Sequence, residues 1–192
     1  MGDLLEEAKD WLSIPSISAG ARDEESLRHA AAWAIQRVRR AGGTAEMVAT
    51  PGGAPLVVGE LRSAKKNAPT VMIYGHYDVQ DPGDLELWDS PPFEPTVRDG
   101  RLYARGATDD KGNFLPLLFV ACELAKAGAL PVHIRVLIEG AEVQQGALVC
   151  IIEAMKMENE ITAHKAGTIA ELPITEGDAV KSGDTLAVIK GG

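Results

Sequence analysis

Leu27, Ala30, Ala31, Ala34, Ile35 and Val38 recur at intervals of three and four, an apolar stripe along one helix face, and Gly42 and Gly43 follow as a stop. Short β-prone runs come next, at Ala45–Ala49, Pro55–Leu61 and Thr70–Tyr74, before a polar, proline-rich stretch from Asp78 to Pro95. A second helical run, Asn113 to Ala127, is apolar on most of its circumference (Phe114, Leu117, Leu118, Val120, Ala121, Leu124) and ends at Gly128. Its Pro116 is expected in the first turn, where a missing N–H costs little. The run feeds a strand, Val132–Ile138. Helix and strand in alternation predict an α/β fold.

The remainder follows another pattern. Residues 139–152, EGAEVQQGALVCII, recur 37 positions later as EGDAVKSGDTLAVI at 176–189. Two similar β-rich halves suggest a small all-β flattened barrel with quasi-twofold symmetry. The expected division is an α/β part over 1–138 and a β part over 139–192. The segment 132–138 is a candidate for a first barrel strand borrowed from the front.

Composition sharpens this division, because all nine aromatic residues precede residue 120. The formal net charge of −9, from 19 basic and 28 acidic side chains, argues against a nucleic-acid surface, which needs clustered Lys and Arg. No apolar run approaches the ~20 residues of a membrane span. Two cysteines, Cys122 and Cys150, are too few for a disulfide framework and fit a reducing cytoplasm.

Candidate chemistry in the front part lies at strand ends. His76 closes the run Thr70–Tyr74 and Asp78 follows two residues on, a spacing that in a strand places both side chains on one face. A carboxylate beside an imidazole fixes its tautomer and raises its basicity as a metal ligand. Asp109 precedes the apolar helix, and Glu139 and Glu142 follow another strand. A set of His, Asp and Glu at strand ends suits zinc. Taken alone, DDKGN reads as a helix N-cap.

GHYDVQ (75–80), WDSPPFEP (88–95), LYARGATDDKGN (102–113) and EGAE (139–142) together resemble the di-zinc metallopeptidases that include carnosinase-type dipeptidases, glutamate carboxypeptidase, acetylornithine deacetylase and succinyl-diaminopimelate desuccinylase. The resemblance covers residues 1 to 142. It implies His76 and Asp109 as zinc ligands, with Asp109 bridging two zincs. It also implies Asp78 as the orienting carboxylate and Glu142 as the general base that activates water. Val143 stands where that family has a second Glu, a zinc ligand. Two ligands fall short of the three a catalytic zinc needs, so this part is expected to be truncated and inactive.

In the rear part, EAMKMEN (153–159) sets Lys156 between Met155 and Met157, at the tip of an expected hairpin. The segment from Val143 to Lys190 resembles the biotinyl domain of biotin-dependent carboxylases, whose attachment motif is AMKM. This resemblance implies covalent biotin on Lys156, flanked by Met155 and Met157. The implied partners are a biotin ligase and subunits of a biotin-dependent carboxylase. The leading expectation is therefore a chimera serving as a biotin acceptor. The alternatives are a zinc hydrolase of dipeptides or N-acyl amino acids, and a recombined chain with neither activity. Apolar faces left without partners predict a homo-oligomer.

Overall fold

The computed structural model describes residues 3–19, 22–50, 53–140, 148–154, 157–162, 168–171, 173, 179–181 and 184–190. Two units separate, one over Met1–Thr50 and Ala54–Ala141, the other over Pro51–Gly53 and Glu142–Gly192.

In the first unit, helix α1 (Leu4–Leu12) starts at Asp3, whose carboxylate accepts the backbone N–H of Leu5 at 2.9 Å. Its Ala8, Trp11 and Leu12 share one stripe and are buried. Helix α2 (Glu24–Arg40) starts in the same way at Asp23, with Glu24 and Glu25 in its first turn and Arg37, Arg39 and Arg40 in its last, matching the helix dipole. All six apolar positions of the expected stripe are buried.

Strands β1 (Thr44–Val48), β2 (Leu56–Leu61), β3 (Thr70–His76) and β6 (His133–Glu139) form one mixed sheet in the order β1-β2-β6-β3. The first two pairings are antiparallel. The last is parallel and brings His76 opposite Glu139. A parallel pair needs a crossover, and the chain supplies one from Tyr77 to Val132. This crossover contains a short 3-10 turn (Leu85–Leu87), the hairpin β4 (Thr96–Arg98) and β5 (Arg101–Tyr103), and helix α3 (Lys111–Lys126). Asp99 and Gly100, both at positive φ, make the two-residue hairpin turn.

Ile134, Val136 and Ile138 on one face of β6 join Val57 and Leu61 of β2 and the apolar stripes of all three helices in a single core. The other sheet face is open, with Met72 and Tyr74 of the edge strand β3 exposed. Helix α3 begins two residues earlier than its apolar pattern suggested. Pro116 therefore takes the sixth position rather than the first turn and leaves the Gly112 carbonyl without its usual donor. Phe114, Leu115, Leu118, Ala121 and Cys122 are buried, whereas Leu117 and Val120 are more than half exposed.

The borrowed barrel strand needs correction. Residues 133–139 lie between β2 and β3 with both edges hydrogen-bonded, so they have no free edge to lend. In the second unit, β7 (Leu148–Ala154) pairs with β8 (Met157–Thr162), and β9 (Thr168–Glu171) pairs with β10 (Val188–Lys190). These are two separate two-stranded ladders, and among the described residues they form no closed biotinyl barrel.

Candidate functional site

Strand β3 ends at His76, at the carboxyl edge of the parallel pair, the edge where open α/β sheets place ligands. Asp78 lies beyond the strand rather than on it. Its carboxylate nevertheless meets the imidazole, with Asp78 Oδ1 3.0 Å from His76 Nδ1. On the far side of the ring, Nε2 stands 2.9 Å from Asp109 Oδ1. Asp78 is buried and Asp109 is exposed, so the imidazole bridges core and solvent. Burial opposes the charged ring, but hydrogen bonds and charge from Asp78 and the hydrogen bond from Asp109 outweigh it and raise the His76 pKa to about 9.

The backbone after β3 is held from two sides. The Tyr77 N–H donates to the Glu139 carbonyl at 2.8 Å. The segment between α1 and α2 pairs in parallel with it, Ile17 bridging to Val79. Here the Val79 N–H donates to the Ser16 carbonyl at 2.9 Å, and the Ser16 hydroxyl donates to the Tyr77 carbonyl at 2.6 Å. The Ser18 hydroxyl donates to Asp78 Oδ2.

Asp110 occupies the N-cap position of α3 but makes no side-chain cap. Its carboxylate turns to the sheet and accepts the His76 N–H at 3.2 Å. Burial raises its pKa. Gly75 makes this approach possible, because a Cβ there would run into both Phe114 and the Asp110 carboxylate. Lys111 is fully buried and donates to the carbonyls of Trp11 at 3.1 Å and Ile14 at 2.8 Å, tying this loop to the end of α1. Glu139 is buried beside His76 and accepts the Tyr74 hydroxyl.

An imidazole nitrogen and the carboxylate oxygen facing it, with a second carboxylate behind the ring, are donors of the type that zinc takes. Two ligands about 2.0–2.1 Å from one tetrahedral ion stand about 3.3–3.4 Å apart, so the 2.9 Å contact would open by a few tenths of an ångström to admit the ion. His76 and Asp109 fit as part of such a site. Among the described residues no third His, Cys, Asp or Glu completes it. Glu142, Met155 and Lys156 lie outside the described residues, and so does the side chain of Met157, the first residue of β8.

The sequence pattern missed Ser18, Asp110 and Lys111. Asp110 was read only as a cap, and Lys111 carried no signal of burial. Nothing local marks Ser18, whose partner is 60 residues away.

The chain belongs to the peptidase family M20/M25/M40, whose profile matches residues 72–187. It is 32% identical over 155 residues to succinyl-diaminopimelate desuccinylase of Bordetella avium strain 197N, covering 78% of this chain and 38% of that protein. Its fold matches an M20 family metallo-carboxypeptidase of Sulfolobus solfataricus at a TM-score of 0.65 and 33% identity, over 74% of this chain and 31% of the other. It matches human carnosine dipeptidase 1 at 0.65 and 32%, over 71% and 31%. The chain thus spans about a third of the length of these relatives.

The family model matches residues 72–187, a range that includes the AMKM motif, and this overturns the biotin-acceptor function; neither biotin on Lys156 nor a chimera has support. The segment Val143–Lys190 that carried the biotinyl resemblance falls for the most part inside this range. Among the described residues no helix is long and apolar enough to cross a membrane.

Proposed function

We propose that the chain carries part of the metal centre of a zinc-dependent amide hydrolase acting on dipeptides or N-acyl amino acids. The observation that carries this reading is the His76 imidazole held between Asp78 and Asp109 at the end of β3. His76 Nε2 and Asp109 would be the donors. Bound zinc would supply Lewis acidity toward the scissile carbonyl. Asp78 holds a proton on Nδ1 and so keeps the Nε2 lone pair outward. Glu142 takes the general-base role that the family resemblance implies, receiving the proton from the attacking water. The substrate class follows the names of two relatives, a desuccinylase and a dipeptidase.

Metal analysis of the chain after zinc loading, paired with hydrolysis assays on a dipeptide and an N-succinyl amino acid, tests the proposal. Zinc retained by the parent and lost in His76→Ala, with metal-dependent cleavage of either substrate, supports it. A chain that retains no zinc and cleaves neither substrate overturns it.

A further inference from the structure

Resting on that reading, we propose that Ser18 is a positioning residue of the metal centre, setting the orientation of His76 through Asp78. Asp78 follows the end of β3, so no strand register fixes its side chain. A carboxylate held at one oxygen can still turn about its Cβ–Cγ bond. Here each oxygen has its own partner, Oδ1 at His76 Nδ1 and Oδ2 at the Ser18 hydroxyl. A hydroxyl has a single proton to give, and Ser18 gives it to Asp78.

The backbone brings the two residues together. The Ser18 N–H donates to the Val79 carbonyl at 3.3 Å, and the Val79 N–H to the Ser16 carbonyl at 2.9 Å, forming a short parallel pairing across the residue after Asp78. Ser16 differs from Ser18 in kind, since its hydroxyl reaches only the Tyr77 carbonyl and holds main chain. Ser18 alone of the two touches the carboxylate that faces the imidazole. The line from Ser18 through Asp78 and His76 to Asp109 therefore runs from the linker between α1 and α2 out to the exposed rim. Groups behind a histidine ligand hold its ring and tautomer, and losing one typically weakens metal binding by about 10–100-fold.

The test compares parent, Ser18→Ala and Ser18→Thr, which keeps a hydroxyl. The first readout needs no metal and is the low-field Nδ1–H proton of His76 in the nuclear magnetic resonance spectrum of the zinc-free chain. It should persist in parent and Ser18→Thr and broaden away by solvent exchange in Ser18→Ala. The second readout is zinc affinity by competition with a chromophoric chelator. Ser18→Ala should bind about tenfold more weakly, and Ser18→Thr within about threefold of parent.

If no form binds zinc, the metal reading fails, and the proton signal still decides the role of Ser18. Should Ser18→Ala fail to fold, as read from tryptophan fluorescence, Ser18→Cys replaces it. This weak donor should show intermediate loss. A proton signal that persists in the variant lacking the hydroxyl overturns the proposal, as does parental zinc affinity in that variant or parental behaviour of Ser18→Cys.

Discussion

Asp78 Oδ1 lies 3.0 Å from Nδ1 of His76, and this contact points the other ring nitrogen at Asp109, a residue 33 positions further along the chain. Replacing the carboxylate by an amide keeps the shape of Asp78 but removes its charge. Asp78→Asn should therefore weaken zinc binding by about 10–100-fold and, at neutral pH, lower the melting temperature as the charged ring loses its partner. Isothermal titration with zinc, alongside thermal unfolding, checks both parts.

Protons compete for the same ring. In the zinc-free chain the His76 pKa is raised to about 9, from an ordinary value of 6.5. Its contribution to stability is thus fully present below about pH 6.5 and lost as pH rises through 9. Zinc affinity should move the opposite way, rising about tenfold per pH unit until the ring is deprotonated. Zinc titrations at pH 6, 7 and 8 read the slope. A flat profile would remove His76 from the ligand set.

Lys111 lies in the core with its ammonium on two carbonyl oxygens. Burial lowers its pKa to about 7, with the Asp78 charge opposing. Because Lys111 holds more protons in the unfolded chain than in the folded one between about pH 7 and 10.5, its contribution to stability should climb with pH across that window, opposing the fall from His76 up to about pH 9. Lys111→Met should flatten the climb while leaving the carbonyls of Trp11 and Ile14 with only their backbone donors, the N–H groups of Ile14 and Ser16. Urea unfolding at several pH values measures the slope in both forms.

Arg37 joins all three helices. It extends from α2 to Glu7 of α1 at 2.5 Å and Glu123 of α3 at 3.0 Å, and it sits over the Phe119 ring. Its side chain is 4% exposed, while both acidic partners still reach solvent, so removing it does not strand a fully buried charge. Arg37→Ala should cost about 1–3 kcal/mol, below the value for breaking a wholly buried pair. Chemical denaturation gives the figure.

Gly75→Ala places a methyl group between the end of β3 and α3. Overpacking of this kind costs about 1–3 kcal/mol. Because the displaced groups are Phe114 and Asp110, the site should loosen with the core. The variant should lose both melting temperature and zinc affinity, whereas Gly83→Ala, where nothing lies within 4 Å, should lose no zinc affinity.

What could be read from the chain follows from how local each signal is. The α2 stripe was legible because one face of that helix is buried and the period of a helix reports burial directly. The strand over 133–139 was legible as a strand, yet its place in the sheet was not. Alternating His133–Ile138 fits a half-buried strand in an open sheet or in a barrel, and only the two hydrogen-bonded edges decide. His76, Asp78 and Asp109 come together at the end of β3. Of the adjacent acids 109 and 110 the sequence singles out Asp109, but it gives no sign that Asp110 turns back onto Gly75 and the His76 N–H. The biotin reading of Val143–Lys190 gives way because the family model that takes in His76 and Asp109 extends through residue 187.

X-ray absorption at the zinc edge of the loaded chain tests the central claim most directly. One imidazole and carboxylate oxygens at about 2.0–2.1 Å, with the imidazole scattering lost in His76→Ala, is the expected result. A sulfur shell, or a spectrum unchanged by that substitution, would contradict it.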